Sequence, residues 1–268
     1  GYQLLDESFY PDSGPDSIGS WSRSLSAVRP GALQFYNLLG AADYTAFKTL
    51  EDYAKYVSTF LAGVRPALLS MDFYPYFAEA STPCPPGNGD RCRDTKALYG
   101  STLSVLRAAA EAAPTGPIPF WNFFNAMPYD KYHTDPTEAM LRWQAMTSLA
   151  YGSSGVMYFC YWSPDHAFSL GGGLIVPQGS AKHTVWARGP HWYEAQRLNS
   201  LLKIYGGFLL GRRSIGVFRA SSNGTAATPR HAEYDASAGA SVADCAIATL
   251  SNSGLRNFDT PASWLIGQ

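Results

Sequence analysis

Hydrophobic positions alternate between two patterns along this chain. Short, nearly continuous apolar runs cover residues 1–6, 32–39, 67–74, 118–124 and 155–162. Runs of this length, bounded by Gly, Pro and Asn, predict strands, and those apolar throughout predict strands buried on both faces. Between them lie stretches with apolar residues at helical spacing. Phe47, Leu50, Tyr53, Val57, Phe60 and Leu61 mark a helix over 45–61, and Leu98, Leu103, Leu106 and Ala109 mark one over 95–113. Asp135-Pro136-Thr137-Glu138 reads as a helix start, with Asp135 as N-cap and Glu138 closing a capping box, for a helix running to about Tyr151. A last helix is predicted over 190–205. The first strand is followed by what reads as a long loop.

Strand–helix alternation with short connections implies a parallel sheet in an α/β fold. Five units are visible, whereas a closed (β/α)8 TIM barrel has eight. The pattern therefore predicts strands four to eight of such a barrel over residues 1–213, with the first three placed upstream of Gly1. From Ser214 the character changes to Ser, Ala, Gly and Thr with short apolar pieces at 214–218, 245–250 and 263–267. Residues 214–268 are expected to begin a β-rich, sandwich-like accessory domain.

Composition narrows the partners. Of the 268 residues, 46% are hydrophobic and 15% charged, which fits a globular chain. The net charge of −1 gives no general attraction to nucleic acid or an acidic membrane. No apolar run is long enough to span a bilayer. Aromatics are abundant, with 17 Tyr and 7 Trp, either as core or as platforms for the apolar faces of sugars. Cys84 and Cys92 bracket a Pro/Gly/Asn loop that a disulfide would staple. Asn223-Gly224-Thr225 is an N-glycosylation sequon. Together these point to a secreted, extracellular glycoprotein. Gly1 opens directly on a strand without a signal peptide, as in a trimmed chain or a fragment. Cys160 is expected as a small buried hydrophobe, and Cys245 has no obvious mate.

The strand ends hold the candidate chemistry, because sites on parallel sheets form at the C-terminal ends of the strands. In order, these ends offer Asp6-Glu7, Asn37, Asp72 with Tyr74, Asn122 to Asn125, and Tyr161-Trp162. Glycoside cleavage needs a proton donor and a second carboxylate. Glu7 is the expected donor, with Asp6 as the alternative inward residue, and Asp72 the second carboxylate. Asp6, Asn37, Asn122 and Asn125 would bind hydroxyls, and Tyr74, Trp121, Tyr161 and Trp162 would stack on rings. Each has a bland alternative: Glu7 as a solvated loop carboxylate, Asp72 as the group ordering the Tyr-Pro turn. The histidines are scattered and form no metal-ligand motif, so no metal and no cofactor is expected.

These motifs carry a resemblance. Gly1-Tyr2-Gln3-Leu4-Leu5-Asp6-Glu7, Leu69-Ser70-Met71-Asp72-Phe73-Tyr74-Pro75, Pro119-Phe120-Trp121 and the run from Asp135 to Pro164 are similar to a group of glycoside hydrolase-like barrels allied to the β-galactosidase type. The resemblance covers roughly residues 1–215. It implies an acid/base role for Glu7 at the end of strand four. That clan draws its nucleophile, a Glu, from strand seven, where this chain has Asn122 and Asn125. The second carboxylate is then Asp72 or a group outside this stretch, or the protein binds sugar without cutting it. The expectation is an extracellular glycoside hydrolase acting on an oligo- or polysaccharide. The alternative is a non-catalytic carbohydrate-binding or structural glycoprotein, whose partners include an upstream barrel half or a larger extracellular assembly.

Overall fold

The computed structural model describes residues 2–7, 14–42, 46–77, 95–128, 133–163, 172–180, 183–214, 217–220 and 264–267. Five strands, β1 (Tyr2–Asp6), β2 (Gln34–Leu38), β3 (Leu69–Asp72), β4 (Phe120–Asn125) and β5 (Gly155–Phe159), form one parallel sheet in sequential order. Helices α1 (Pro15–Val28), α2 (Leu50–Val64), α3 (Thr95–Glu111) and α4 (Glu138–Ala150) make the four crossovers. Beyond β5, strands β6 (Ile175–Ser180) and β7 (His183–Arg188) pair as an antiparallel hairpin, followed by α5 (Pro190–Leu209). Strands β8 (Val217–Ala220) and β9 (Trp264–Gly267) form a second antiparallel pair. Among the described residues no helix is long and apolar enough to cross a membrane.

The barrel expectation is corrected here. Among the described residues β1 and β5 are the two edges of an open sheet, and nothing joins them. The same alternation of strand and helix serves an open sheet as well as a closed one, so the local pattern carries no closure signal. The long loop expected after β1 is also corrected, because α1 fills it. The hairpin β6–β7 lies in a stretch for which the sequence pattern predicts no element.

Sequential strand order with right-handed crossovers puts every connecting helix on one face of the sheet. The helices pack side by side accordingly, α1 on α2 and α2 on α3, while the Tyr99 ring of α3 meets Trp143 of α4. Close approach of α1 and α2 depends on two glycines. A Cβ on Gly19 would lie 2.4 Å from the Gly63 carbonyl oxygen, and one on Gly63 would lie 2.5 Å from the Pro15 Cβ. Thr49 caps α2 in a reciprocal capping box with Asp52.

Alternation along each strand divides the residues between two faces. Tyr36, Leu38, Leu69, Met71 and Phe120 enter the main core beneath the helices, and Phe124 joins a second cluster with Leu141 and Ala145 of α4. The opposite face carries Phe35, Trp121 and Phe123, whose rings meet 6.1–6.2 Å apart, together with the polar residues of the strand ends. Helix α4 begins at Glu138 with Thr137, not Asp135, as N-cap; the Thr137 hydroxyl accepts from the Met140 amide. Asp135 instead meets Nε2 of His191 at 2.8 Å, and Glu138 takes Arg142 and Arg197. Those guanidinium hydrogen bonds, first Arg197 and then Arg142, hold the Glu138 carboxyl down to about 2.

Candidate functional site

Parallel register brings the carboxyl ends of β1, β2 and β3 to one level. Asp6 pairs with Asn37, and Asn37 with Ser70. The Asn37 amide spans both neighbours, donating to Asp6 Oδ1 at 3.2 Å and accepting from the Ser70 hydroxyl at 3.3 Å. Asn37 and Ser70 are buried, and Asp6 is exposed. The chain then turns at Glu7, which sits in the left-handed region at φ 49°. Its backbone amide donates to the Asn37 carbonyl at 2.9 Å, which ties that turn to β2.

This turn returns the exposed Glu7 side chain over the sheet, where it shares a hydrogen bond with Asp72, the last residue of β3. Asp72 is only 7% exposed. Two ionised carboxylates are both acceptors, so a hydrogen bond between them requires a proton on one. Burial of Asp72 raises its carboxyl well above the usual range; the hydrogen bond and charge of Glu7 push the same way, and Asp6 adds to them. A hydrogen bond from Tyr74 opposes the shift without cancelling it. Burial therefore favours the neutral form of Asp72.

Aromatic rings wall the site on the β4–β5 side. Tyr74 follows β3 and meets Phe159, the last residue of β5, at 5.3 Å. His133 stands perpendicular to Tyr74 at 6.0 Å and lies on Phe77 at 4.3 Å. An isolated bridge joins Phe77 to His133, so this corner is held by backbone as well as by rings.

The chain matches no family model, and no curated protein matches it.

Sequence reasoning gathered some of these groups and misplaced others. Glu7, Asp72, Asp6, Asn37 and Tyr74 come together. Asn122 does not: it points to the helix face, fully buried, where its amide donates to the Tyr99 hydroxyl at 2.6 Å and the Ser148 hydroxyl at 3.0 Å. Its place as a hydroxyl-binding residue is corrected to one in the internal framework. Trp121 lies on the open face but near the start of β4, four residues before Asn125 and so about 13 Å from the rim. Its indole lies against Gly155, where a Cβ would come within 2.7 Å of the ring. Tyr161 and Trp162 are about half exposed and belong to another cluster, against Trp192 at 5.8 Å and Trp186 at 4.3 Å. Arg188 lies over the Trp192 ring at 4.8 Å in the same cluster.

Asn125 ends β4 with no exposed surface. Past Phe123, β3 no longer pairs with β4, and Gln144 of α4 takes over its role. Its side-chain oxygen accepts from the Asn125 amide at 3.3 Å and its nitrogen donates to the Asn125 carbonyl at 3.1 Å. Cys160 is half-buried, with its thiol 2.8 Å from the Trp162 carbonyl, and burial pushes it up to about 11. Cys84, Cys92, Cys245 and Asn223 lie outside the described residues.

Ser70, His133, Phe159 and Gln144 were missed by sequence reasoning. Only Ser70 carried a signal, as a polar residue between apolar ones in β3. His191 was missed as well. It lies in the first turn of α5, with Nδ1 2.6 Å from Glu194 and Nε2 2.8 Å from Asp135. Burial opposes its charge, but the hydrogen bonds to Glu194 and Asp135 and their charges outweigh that and raise it above the ordinary histidine value. Among the described residues no group of three or more His, Cys, Asp or Glu could hold a metal ion.

Proposed function

We propose that the protein is a carbohydrate-active hydrolase that cleaves a glycosidic bond by acid/base chemistry, with Asp72 as proton donor and Glu7 as the second carboxyl group. One observation carries the reading: a buried carboxyl, raised well above the usual range by its burial, beside an exposed one at the carboxyl ends of a parallel sheet. Glycoside cleavage needs these two states side by side, an acid for the departing oxygen and an anion for the positive charge that develops on the sugar. The assignment exchanges the roles expected from sequence, because burial falls on Asp72 and not on Glu7. Asp6 and Asn37 supply hydrogen-bonding groups at the same level, and Tyr74 an aromatic edge. The motif resemblance at these strand ends supports the same chemistry. The Cys84–Cys92 loop and the Asn223 sequon make an extracellular setting part of the proposal.

The carboxyls in direct contact are closer than the roughly 5–5.5 Å of retaining or 6.5–9.5 Å of inverting glycosidases. A sugar must therefore part them as it enters. Glu7 is the member able to move, being exposed and held at its own backbone by a single turn. The same closeness, with β4 ending in an amide, favours a second reading in which the rim binds carbohydrate without cleaving it.

Hydrolysis of a panel of p-nitrophenyl glycosides and unsubstituted oligosaccharides, by the native protein, Asp72→Asn and Glu7→Gln, separates the two. Loss of a general acid costs on the order of 10²–10⁴-fold in rate. Asp72→Asn is expected to lose that much on oligosaccharides and much less on p-nitrophenyl glycosides, whose leaving group needs little protonation. Undiminished turnover by Asp72→Asn removes the proposal. Saturable binding without turnover in the native protein selects the second reading.

A further inference from the structure

Asn125 stands out among the described residues because both polar atoms of its side chain are buried and neither has a hydrogen-bond partner. An unpaired buried amide is costly, and in a folded protein it calls for a reason. Its backbone shows no such frustration, since Gln144 binds both its N–H and its carbonyl. The backbone is fixed by the fold while the amide is left without a bond.

Position supplies the reason. Alternation along β4 sends Phe124 to the helix side, in the cluster with Leu141 and Ala145, and so sends Asn125 to the opposite face with Phe123. Phe123 pairs with Asp72, and Asn125 is one step further towards the rim, paired with Phe159. The Phe159 ring from β5 and the Tyr74 ring from the segment after β3 meet across β4 at that level. Asn125, with no exposed surface, is at the register position between them, and the Tyr74 hydrogen bond to Asp72 ties that ring to the carboxyl pair.

We infer that Asn125 is a ligand-positioning residue gated by Tyr74: when the Tyr74 ring turns aside, the Asn125 amide donates to and accepts from vicinal hydroxyls of a sugar bound against Asp72 and Glu7. This rests on the carbohydrate reading above and adds to it the residue that grips the ring and the side chain that covers it. A primary amide offers a donor and an acceptor side by side, matching two neighbouring hydroxyls that each give and take a hydrogen bond. A glycan also repairs the unpaired amide on binding, so the contact is made at a group that has no protein bond to give up.

The test compares the native protein with Asn125→Leu, which keeps the number and branching of the side-chain heavy atoms and removes the polar ones. Isothermal titration uses gluco-, galacto- and xylo-oligosaccharides, and thermal unfolding is followed without sugar. Asn125→Leu is expected to stay folded, because removal of an unpaired buried polar group offsets the cost of the larger side chain. It is expected to bind the best oligosaccharide about tenfold more weakly, the loss of one or two net hydrogen bonds. Should this variant fail to fold, the side-chain amide NMR signals of Asn125 in the native protein are followed during titration, with a downfield shift and slowed hydrogen exchange expected. Native-like affinity in Asn125→Leu, or an unmoved amide signal at saturation, would overturn the inference while the carbohydrate reading stands. If the native protein binds none of the sugars, both fall.

Discussion

Gly40→Ala tests whether the end of β3 is held where the carboxyl pair needs it. Gly40 lies just after β2, against the turn out of β3. A Cβ there would fall 2.4 Å from the Asp72 carbonyl oxygen, 3.1 Å from Phe73 Cδ2 and 3.2 Å from Phe73 Cβ. Contacts under 3.0 Å are essentially never tolerated, so the two segments must separate by about 0.6 Å merely to reach that limit. Neither yields easily. On the far side of β3 the Phe73 amide is tied to the Phe123 carbonyl at 3.3 Å, and the chain before Gly40 is paired in the sheet. Overpacking of this kind costs about 1–3 kcal/mol. At roughly 2–4 °C per kcal/mol for a domain near this size, a loss of about 2 kcal/mol lowers the melting temperature by roughly 4–8 °C. Because the strain falls on Asp72 itself, turnover of a glycoside should fall on the order of 10²-fold, the penalty of a reacting group displaced by about 1 Å. Gly206→Ala in α5 is the control. Nothing lies within 4 Å of its added Cβ, and Ala is favoured over Gly in a helix by about 0.5–1 kcal/mol. Differential scanning calorimetry should move the two variants in opposite directions. A Gly40→Ala protein that melts no lower than the native one, or keeps native activity, refutes the reasoning.

Tyr99→Phe removes a buried hydroxyl that meets Asn122, Ser148 and the Gln144 carbonyl at 2.6–3.1 Å, and should cost about 1–3 kcal/mol in urea unfolding; a change under 0.5 kcal/mol would make the network incidental. Asp72→Asn should change how stability depends on pH. Between about pH 4, where an unfolded aspartate ionises, and its higher native value, native Asp72 holds a proton that the unfolded chain has lost, so its contribution is full below that window and fades as pH rises through it. Asn has no such dependence, so urea titrations should show the variant gaining on the native protein as pH rises, and a constant difference would contradict the raised carboxyl. His191 also titrates above its ordinary value, so its tie to Asp135 and Glu194 is complete below about pH 6.5 and lost as pH rises through the folded value. Its imidazole NMR midpoint should lie above 6.5, and a lower midpoint would mean that burial wins over the two carboxylates.

Strands β1 to β5 and helices α2 to α5 were legible from short apolar runs and from apolar residues at helical spacing. Caps and turn residues marked their ends to within a few positions. Helix α1 was not. Its apolar residues Ile18, Trp21, Leu25 and Val28 have helical spacing, but five serines lie between or beside them, and only Ile18 and Gly19 are buried. Ser is a poor helix former whose side chain competes for backbone hydrogen bonds. What holds α1 is close packing against Gly63, a long-range fact invisible in its own residues. The β6–β7 hairpin was hidden by Pro177 and Gly179, which break a strand pattern yet are tolerated at a sheet edge. Closure of the sheet was overread for the same kind of reason, since it depends on partners that no local pattern names. The carboxyl pair was found because strand ends could be counted. Which member keeps the proton could not be, since burial of Asp72 depends on how Tyr74 and Glu7 fold back over it.

Strand β4 shows how narrow the margin is between a framework residue and a binding one. Asn122 and Asn125 look equivalent in sequence, two amides on one apolar strand. They are three positions apart, an odd number, so the two-residue period of the strand sends them to opposite faces. Asn122 meets two hydroxyls that α3 and α4 bring to it, so replacing it damages the fold. Asn125 reaches the carboxyl-bearing face, where the surrounding groups are rings and its amide has no protein partner. Both are fully buried, so exposure does not separate them. What separates them is the side-chain nitrogen, which in Asn122 donates twice and in Asn125 not at all, while the oxygen is unpaired in both. Asn122→Leu should therefore destabilise the fold more than Asn125→Leu, both carrying the same added volume; equal losses in the two would mean that parity along β4 does not divide structure from function.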